Sequence, residues 1–212
     1  MIDNQSLIIH TTHGWRGLNG RVLLRVEKDF TDEIKVGEHV LYLDTSYRPA
    51  HHVQEFGTVV APPLTMPGWH QGECEVLAGS RVRFHYHSIC EENLVEIDGQ
   101  KLYLVPYIQL YYIEHGPRFL QMLNDYCLIE PVLSAGGEEK TTAGLITNLD
   151  GRPRAVANRG LVRYAPPQRP GQMRVPAAGA TILYLKDADL PLEVAGETLY
   201  VMNYQEEITA TL

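Results

Sequence analysis

Apolar positions along this chain fall in short runs of four to six residues. Arg21-Val22-Leu23-Leu24-Arg25-Val26, Gly57-Thr58-Val59-Val60, Arg81-Val82-Arg83-Phe84 and Lys101-Leu102-Tyr103-Leu104-Val105 are rich in β-branched and aromatic residues. Clusters of Gly, Pro or Asp separate them, the pattern of strands joined by turns. Asp98-Gly99 lies between two such runs and signals a tight hairpin, and Ala195-Gly196 takes the same place further on. No stretch keeps a helical period over three turns; the best candidate, Pro117 to Asn124, reads as a single linking turn. Several short strands per ~100 residues predict an all-β chain built of small barrels or sandwiches.

The pattern occurs twice. Ala78-Gly79-Ser80-Arg81-Val82-Arg83-Phe84 returns as Ala178-Gly179-Ala180-Thr181-Ile182-Leu183-Tyr184, and Glu96 to Tyr103 returns as Glu193 to Tyr200. Gly57 to Pro63 echoes Gly160 to Pro167, Asn19 to Val26 parallels Asn124 to Pro131, and Tyr107 and Tyr204 follow at matching distances. Blocks in one order, displaced by roughly a hundred residues, indicate a duplicated domain; solenoid repeats are shorter. The expected domains are 1–116 and 117–212, with the boundary near Gly116-Pro117.

Bulk properties narrow the function classes. A chain of 212 residues with 44% hydrophobic content suffices for two cores of about 100 residues each. A formal charge of -8 opposes a nucleic-acid or anionic-membrane partner, since both attract clustered Lys and Arg. No apolar run approaches the ~20 residues of a membrane span, and Met1-Ile2-Asp3-Asn4-Gln5 opens no secretory signal. Cys74, Cys90 and Cys127 offer neither an even count nor a CxxC pair, which fits a reducing compartment. The expectation is a soluble, cytoplasmic protein.

Each repeat carries one long segment that breaks the strand pattern. In the second repeat it follows Pro131, ends near Arg159-Gly160 and contains the polar, Gly-rich stretch Ser134 to Gly144. Leu145-Ile146-Thr147 come directly after. Two aliphatic residues at the tip of a polar tether read as an anchor for another protein's groove, or as part of a barrel strand. In the first repeat the segment between Val26 and Gly57 lacks the Gly-rich tether. It holds Val40, Leu41, Tyr42 and Leu43, whose alternation fits a loop tip or a strand.

These blocks resemble the small co-chaperonins, the GroES-like lids of the chaperonin cage. Asn124-Asp125-Tyr126-Cys127-Leu128-Ile129 is similar to that family's first strand. Gly144-Leu145-Ile146-Thr147 is similar to its mobile-loop tip, and Arg159-Gly160-Leu161-Val162 to its returning strand. Ala178 to Tyr184, Glu193 to Val201 and Glu206 to Ala210 follow in the family's order. The resemblance covers most of both repeats. It implies two tandem GroES-like β-barrels in a homo-oligomer that binds and caps a GroEL-like chaperonin ring and assists protein folding. Gly144, Leu145, Ile146 and Thr147, with Val40, Leu41, Tyr42 and Leu43 in the first repeat, are the implied contacts. It also implies no catalysis: the chain has no phosphate-binding glycine motif ending in Lys-Ser/Thr, and nucleotide hydrolysis belongs to the partner. No catalytic residue, metal or cofactor is assigned.

A rival chemistry rests on Gly79, His85, His87, Glu92 and Gly99, whose spacing fits the first metal motif of the cupins. On a strand His85 and His87 would share one face, as two ligands of an iron, manganese or zinc ion should. The second repeat has Leu185 and Asp187 at those positions, and no second motif follows. A third reading is a duplicated barrel that serves only in assembly. His51-His52 read as solvated loop residues, Cys90 and Cys127 as buried apolar groups, and Trp15 and Trp69 as covers of a barrel end or a subunit contact.

Overall fold

The computed structural model describes residues 4–27, 33–36, 39–42, 55–68, 70, 73–133, 155–169, 173–185, 188 and 190–212. The chain is all-β: among the described residues the helical segments are single 3-10 turns, and the strands pair antiparallel throughout. It divides into two compact units, Met1–Asn124 and Asp125–Leu212. The division therefore falls after Asn124, where Gly116-Pro117 was expected. Phe119–Met122 is no linking turn; it forms a strand on Leu110–Gly116 within the first unit. A lone turn of helix gains one backbone bond per costly nucleus, whereas a strand laid on an existing edge is bonded along its length.

The first unit opens with a hairpin of β1 (Ile8–Thr11) and β2 (Gly14–Gly17). The central strand β3 (Arg21–Arg25) follows, then a second hairpin of β4 (Glu33–Val36) and β5 (His39–Tyr42). β6 (Phe56–Ala61), β7 (Arg81–Phe84), β8 (Leu94–Ile97), β9 (Gln100–Pro106), β10 (Leu110–Gly116) and β11 (Phe119–Met122) complete it. The second unit holds β12 (Tyr126–Leu133), β13 (Ala155–Tyr164), β14 (Thr181–Tyr184), β15 (Leu190–Val194), β16 (Glu197–Asn203) and β17 (Ile208–Thr211).

The main sheet of the first unit runs β11-β10-β7-β6-β3-β9-β8, and that of the second β17-β14-β13-β12-β16-β15. Without β11 the two orders are the same. Registers agree too: Val22 faces Val105 and Leu24 faces Tyr103, as Cys127 faces Met202 and Ile129 faces Tyr200. A bulge interrupts β3 against β6 between Leu23 and Leu24, and β12 against β13 between Leu128 and Ile129. Bulges bend and twist a strand pair locally, so the duplicated bulge gives both sheets the same local shape. In neither sheet do the two outermost strands pair with each other among the described residues, so no hydrogen-bonded seam closes it.

The central strands read as unbroken apolar runs because both faces of the sheet are covered. In the first unit Val22, Leu24, Val59, Val82, Phe84 and Tyr107 pack on one face, and Leu23, Ala61, Val95, Ile97, Leu102 and Leu104 on the other. The second unit packs Cys127, Ile129, Val162, Ile182, Tyr184 and Tyr204 in the positions of the first set. Its Leu128, Leu192, Val194, Leu199 and Val201 are equally buried. The hairpin turns match: Asp98 and Gly99 have φ of 51° and 74°, and Ala195 and Gly196 of 50° and 83°. These are the left-handed angles that a two-residue hairpin needs. Gly57 and Gly160 repeat for a steric reason: a Cβ on Gly57 would lie 3.0 Å from Arg25 O, and one on Gly160 2.2 Å from Ile129 Cγ2.

Candidate functional site

The first feature with functional content is the connection between the two central strands of each sheet. β3 and β6 are antiparallel neighbours, as are β12 and β13, and a hairpin of a few residues would join either pair. The chain instead runs from Arg25 to Phe56 and from Leu133 to Ala155. Connections so much longer than the geometry requires are uncommon inside a compact domain and are usually either functional or linker segments. Leu133, where the second excursion leaves the sheet, is 58% exposed, an apolar residue in solvent at its root.

The predicted contact residues fall on these excursions. Val40, Leu41 and Tyr42 lie on β5, opposite Lys35, Ile34 and Glu33 of β4, so the first excursion contains a hairpin. Of the two readings of that alternation, the strand is the one found. Leu43 lies outside the described residues, as do Gly144, Leu145, Ile146 and Thr147, and likewise His51, His52 and Trp69.

The second feature is the histidine cluster, and its geometry corrects the cupin-like reading. Strand β7 ends at Phe84, and His85 is the cap of a 3-10 turn, Tyr86–Ser88. The side chains therefore do not alternate as strand neighbours. His87 N–H donates to His85 Nδ1 (3.2 Å), and the two rings stack with centroids 5.0 Å apart. Stacking rings present faces to each other, whereas two ligands of one ion must converge nitrogen lone pairs. Glu92 sits on a separate turn, Glu91–Asn93, with its carboxylate in solvent. Among the described residues no three His, Cys, Asp or Glu side chains are grouped as a metal requires. Gly79 and Gly99 serve turns with φ of 86° and 74°, shared by Gly179 and Gly196 of the second unit. Burial of the ring, reinforced by His87, lowers the His85 pKa to about 4, so this ring is neutral at pH 7.

A third feature was not legible beforehand. Trp15, on β2, packs on the apolar face formed by Leu23, Ala61, Ile97 and Leu102, and its Nε1–H donates to Asp98 Oδ2 (3.1 Å). Beside it opens a cleft of about 300 Å³ with that apolar floor and with His13, Arg16, Asp98 and Gln100 at its polar rim. Trp15, expected to cover a barrel end or to meet a subunit, is partly buried against this apolar face. Only the hairpin contact with Asp98, eighty-three positions away, reveals this.

Two buried polar groupings stand out among the described residues of the first unit. Arg83 on β7 forms an ion pair with Glu55 and lies over the Phe56 ring, 4.1 Å from its centroid. Tyr107 donates to the Glu75 carboxylate and meets the His70 ring edge-on; burial, then Glu75, raises its pKa far above the usual phenol range. Cys127 is fully buried, and burial, then Asp125, pushes its thiol up to about 12, as an inert core residue behaves. Cys90 is half-buried, with its thiol raised first by burial. No helix among the described residues is long and apolar enough to cross a membrane.

Comparison with known proteins adds no assignment: the chain matches no protein-family model, and no curated protein is significantly similar to it.

Proposed function

We propose that this chain is a tandem co-chaperonin-like protein: two GroES-like β-domains that cap a chaperonin ring through the segments leaving the sheet between its central strands. One observation carries the reading. The same strand order is built twice, and in both copies the over-long connection leaves from the same step of the sheet. That is the step at which the resembled family carries its mobile loop.

The mechanism is binding, with hydrolysis left to the partner ring. Leu145 and Ile146 enter an apolar groove of the chaperonin, where burying two aliphatic side chains contributes roughly 3–6 kcal/mol before costs. Ordering the segment offsets much of this, so one contact is weak. Several contacts on one assembly restore avidity while allowing fast release. The hairpin of β4 and β5 offers Val40, Leu41 and Tyr42 from the first unit.

The test is co-sedimentation with the host chaperonin ring, with ADP, with ATP and without nucleotide. Nucleotide-dependent capture is expected. Leu145→Ser with Ile146→Ser should abolish it while leaving the melting temperature within about 2 °C of the parent. Absence of capture by the host ring in every nucleotide state sinks the proposal and leaves a duplicated assembly module.

A further inference from the structure

The cleft beside Trp15 is built from residues of the first unit alone. Its floor is aliphatic, with Leu23, Ala61, Ile97 and Leu102, and the Trp15 indole forms one wall. The bond from Trp15 Nε1–H to Asp98 Oδ2 (3.1 Å) holds that wall in place. At about 300 Å³ the cleft lies at the lower end of the range in which proteins hold small molecules.

The second unit carries the same frame with different contents. Ala61 stands opposite Leu23, and Tyr164 stands opposite Leu128 at the same step of the register. The first unit thus has a single methyl group where the second has a phenol ring. At the shared bulge beside that step, Val60 of the first unit takes the place of Arg163.

Charge is exchanged as well. In the second unit Arg163 lies between two carboxylates, 2.9 Å from Glu130 Oε2 and 3.7 Å from Glu197 Oε2. Arg25 and Gln100 stand at the positions of Glu130 and Glu197 in the first unit. Arg25 donates to Gln100 Oε1 (2.9 Å) and pairs with no carboxylate among the described residues. That bond uses the acceptor of the Gln100 amide and leaves its NH2 group as a donor at the rim of the cleft. Arg16 lines the same rim and makes no ion pair among the described residues. Asp98 is already engaged by the Trp15 indole. Arg16 and Arg25 against Asp98 leave the rim with an excess of positive charge and of donors, over a floor of hydrocarbon.

We propose that this cleft binds a small apolar carboxylate. Its hydrocarbon lies against the Trp15 wall and the aliphatic floor, and its carboxylate meets Arg25 and the Gln100 amide at the rim. Burial of the hydrocarbon supplies the affinity. Charge-assisted bonds at the rim select the acid over neutral or cationic molecules of the same shape. The second unit, with Tyr164 at the floor position and Glu130 and Glu197 at the rim positions, turns the same ligand away. This site does not depend on the chaperonin reading.

Hydrocinnamate, its primary amide and phenylpropylamine share one apolar body and differ in the head group. Titrating each into the full chain tests the proposal, with the Trp15 Nε1–H resonance as reporter; Trp69→Phe tells it from the second indole. Hydrocinnamate should shift the resonance saturably with a dissociation constant of about 1 mM or below. It should bind at least about fivefold more tightly than the amide, with the amine weakest. Arg25→Glu with Gln100→Glu installs the second unit's residues at two exposed positions. That variant should lose the preference for the acid and keep its affinity for the amide. Ala61→Tyr fills the floor and should abolish binding of all three; if it does not fold, the charge variant decides. No saturable shift with any of the three overturns the site. Amide or amine binding as tight as the acid, or a preference for the acid that survives the charge variant, overturns the assignment of the ligand.

Discussion

Arg83 and Leu183 stand at the same step of the same strand in the two units. Arg83 faces Phe56 and Leu183 faces Arg159 on the neighbouring strand. Around Arg83 the first unit has built a buried ionic arrangement, with Glu55 as its partner, Phe56 beneath it, and Arg81 bonded to Glu114 alongside (3.0 Å). The second unit has a half-buried aliphatic residue instead, and the position matching Glu55 is Asn158, whose Nδ2 donates to Tyr184 O (2.9 Å). Strand order, register and bulges survive this exchange of charge for hydrocarbon. The backbone frame is therefore set by the apolar residues common to both units and by the turn glycines, and the charged interior is an addition in one of them.

The sharpest way to break the parallel is at its tightest shared point. Gly160→Ala brings a Cβ to 2.2 Å from Ile129 Cγ2, a methyl on a β-branched, fully buried side chain, and to 3.1 Å from Glu130 O. It should destabilise the second unit by about 3 kcal/mol. Gly57→Ala meets Arg25 O at 3.0 Å and the Phe84 ring at 3.1 Å and should cost the first unit about 1 kcal/mol. Both tryptophans, Trp15 and Trp69, belong to the first unit. Tryptophan fluorescence should accordingly report the Gly57 variant alone, while far-UV circular dichroism reports both. Equal losses from the two variants would show that the glycines do not answer to the same packing constraint.

The ion pair should show a loss as large as that of the Gly160 variant. Glu55→Ala leaves the Arg83 guanidinium buried without its carboxylate and should cost about 3 kcal/mol. Arg83→Leu combined with Glu55→Asn installs the residues of the second unit and should recover most of that loss. Urea unfolding of the single and double variants measures the difference. A double variant as unstable as the single one would mean that the charge pair is integral to the frame.

The smallest expected effect is a pH dependence with no counterpart at Leu185. The folded His85 pKa lies near 4, below its unfolded value, so the unfolded chain binds more protons between these limits. The His85 contribution is fully present above the unfolded pKa and is lost as pH falls from about 6.5 towards 4. Water reaches part of the ring and dilutes the effect to roughly 2–4 °C in melting temperature over that window. His85→Gln should flatten this part of the profile, measured as melting temperature between pH 7 and pH 4.

The repeat, the strands and both tight hairpins were legible because they depend on local chemistry: β-branched runs, and residues able to take positive φ. The division between the units was not, because Phe119 to Met122 are fixed by pairing with Tyr112 to Gly116 and not by their own propensity. The His85 and His87 pair misled for a related reason. The strand that would have aligned them stops at Phe84, where His85 N–H turns to Gln109 O (2.9 Å). Leu185 N–H makes the same bond to Glu207 O (2.8 Å) in the second unit, so the break belongs to the fold and not to the histidines. The cleft beside Trp15 was hidden because its rim joins residues far apart in the chain. The candidate contact at Val40 to Tyr42 was half legible: the alternation was visible, its assignment to a strand was not.

The shared bulge beside the two excursions has a practical consequence. Both units leave the sheet beyond the same paired steps, Leu23 to Arg25 and Leu128 to Glu130, and in the second unit the pairing runs on past a second irregularity to Leu133 and Ala155. Closing a longer flexible segment costs only about 0.6 kcal/mol per doubling of its length. A change in the length of either connection should therefore alter the stability of its unit little, which urea unfolding of shortened and lengthened variants checks. The duplicated sheet is, in that sense, a frame with two places where chain length can vary without redrawing the pairing of the strands.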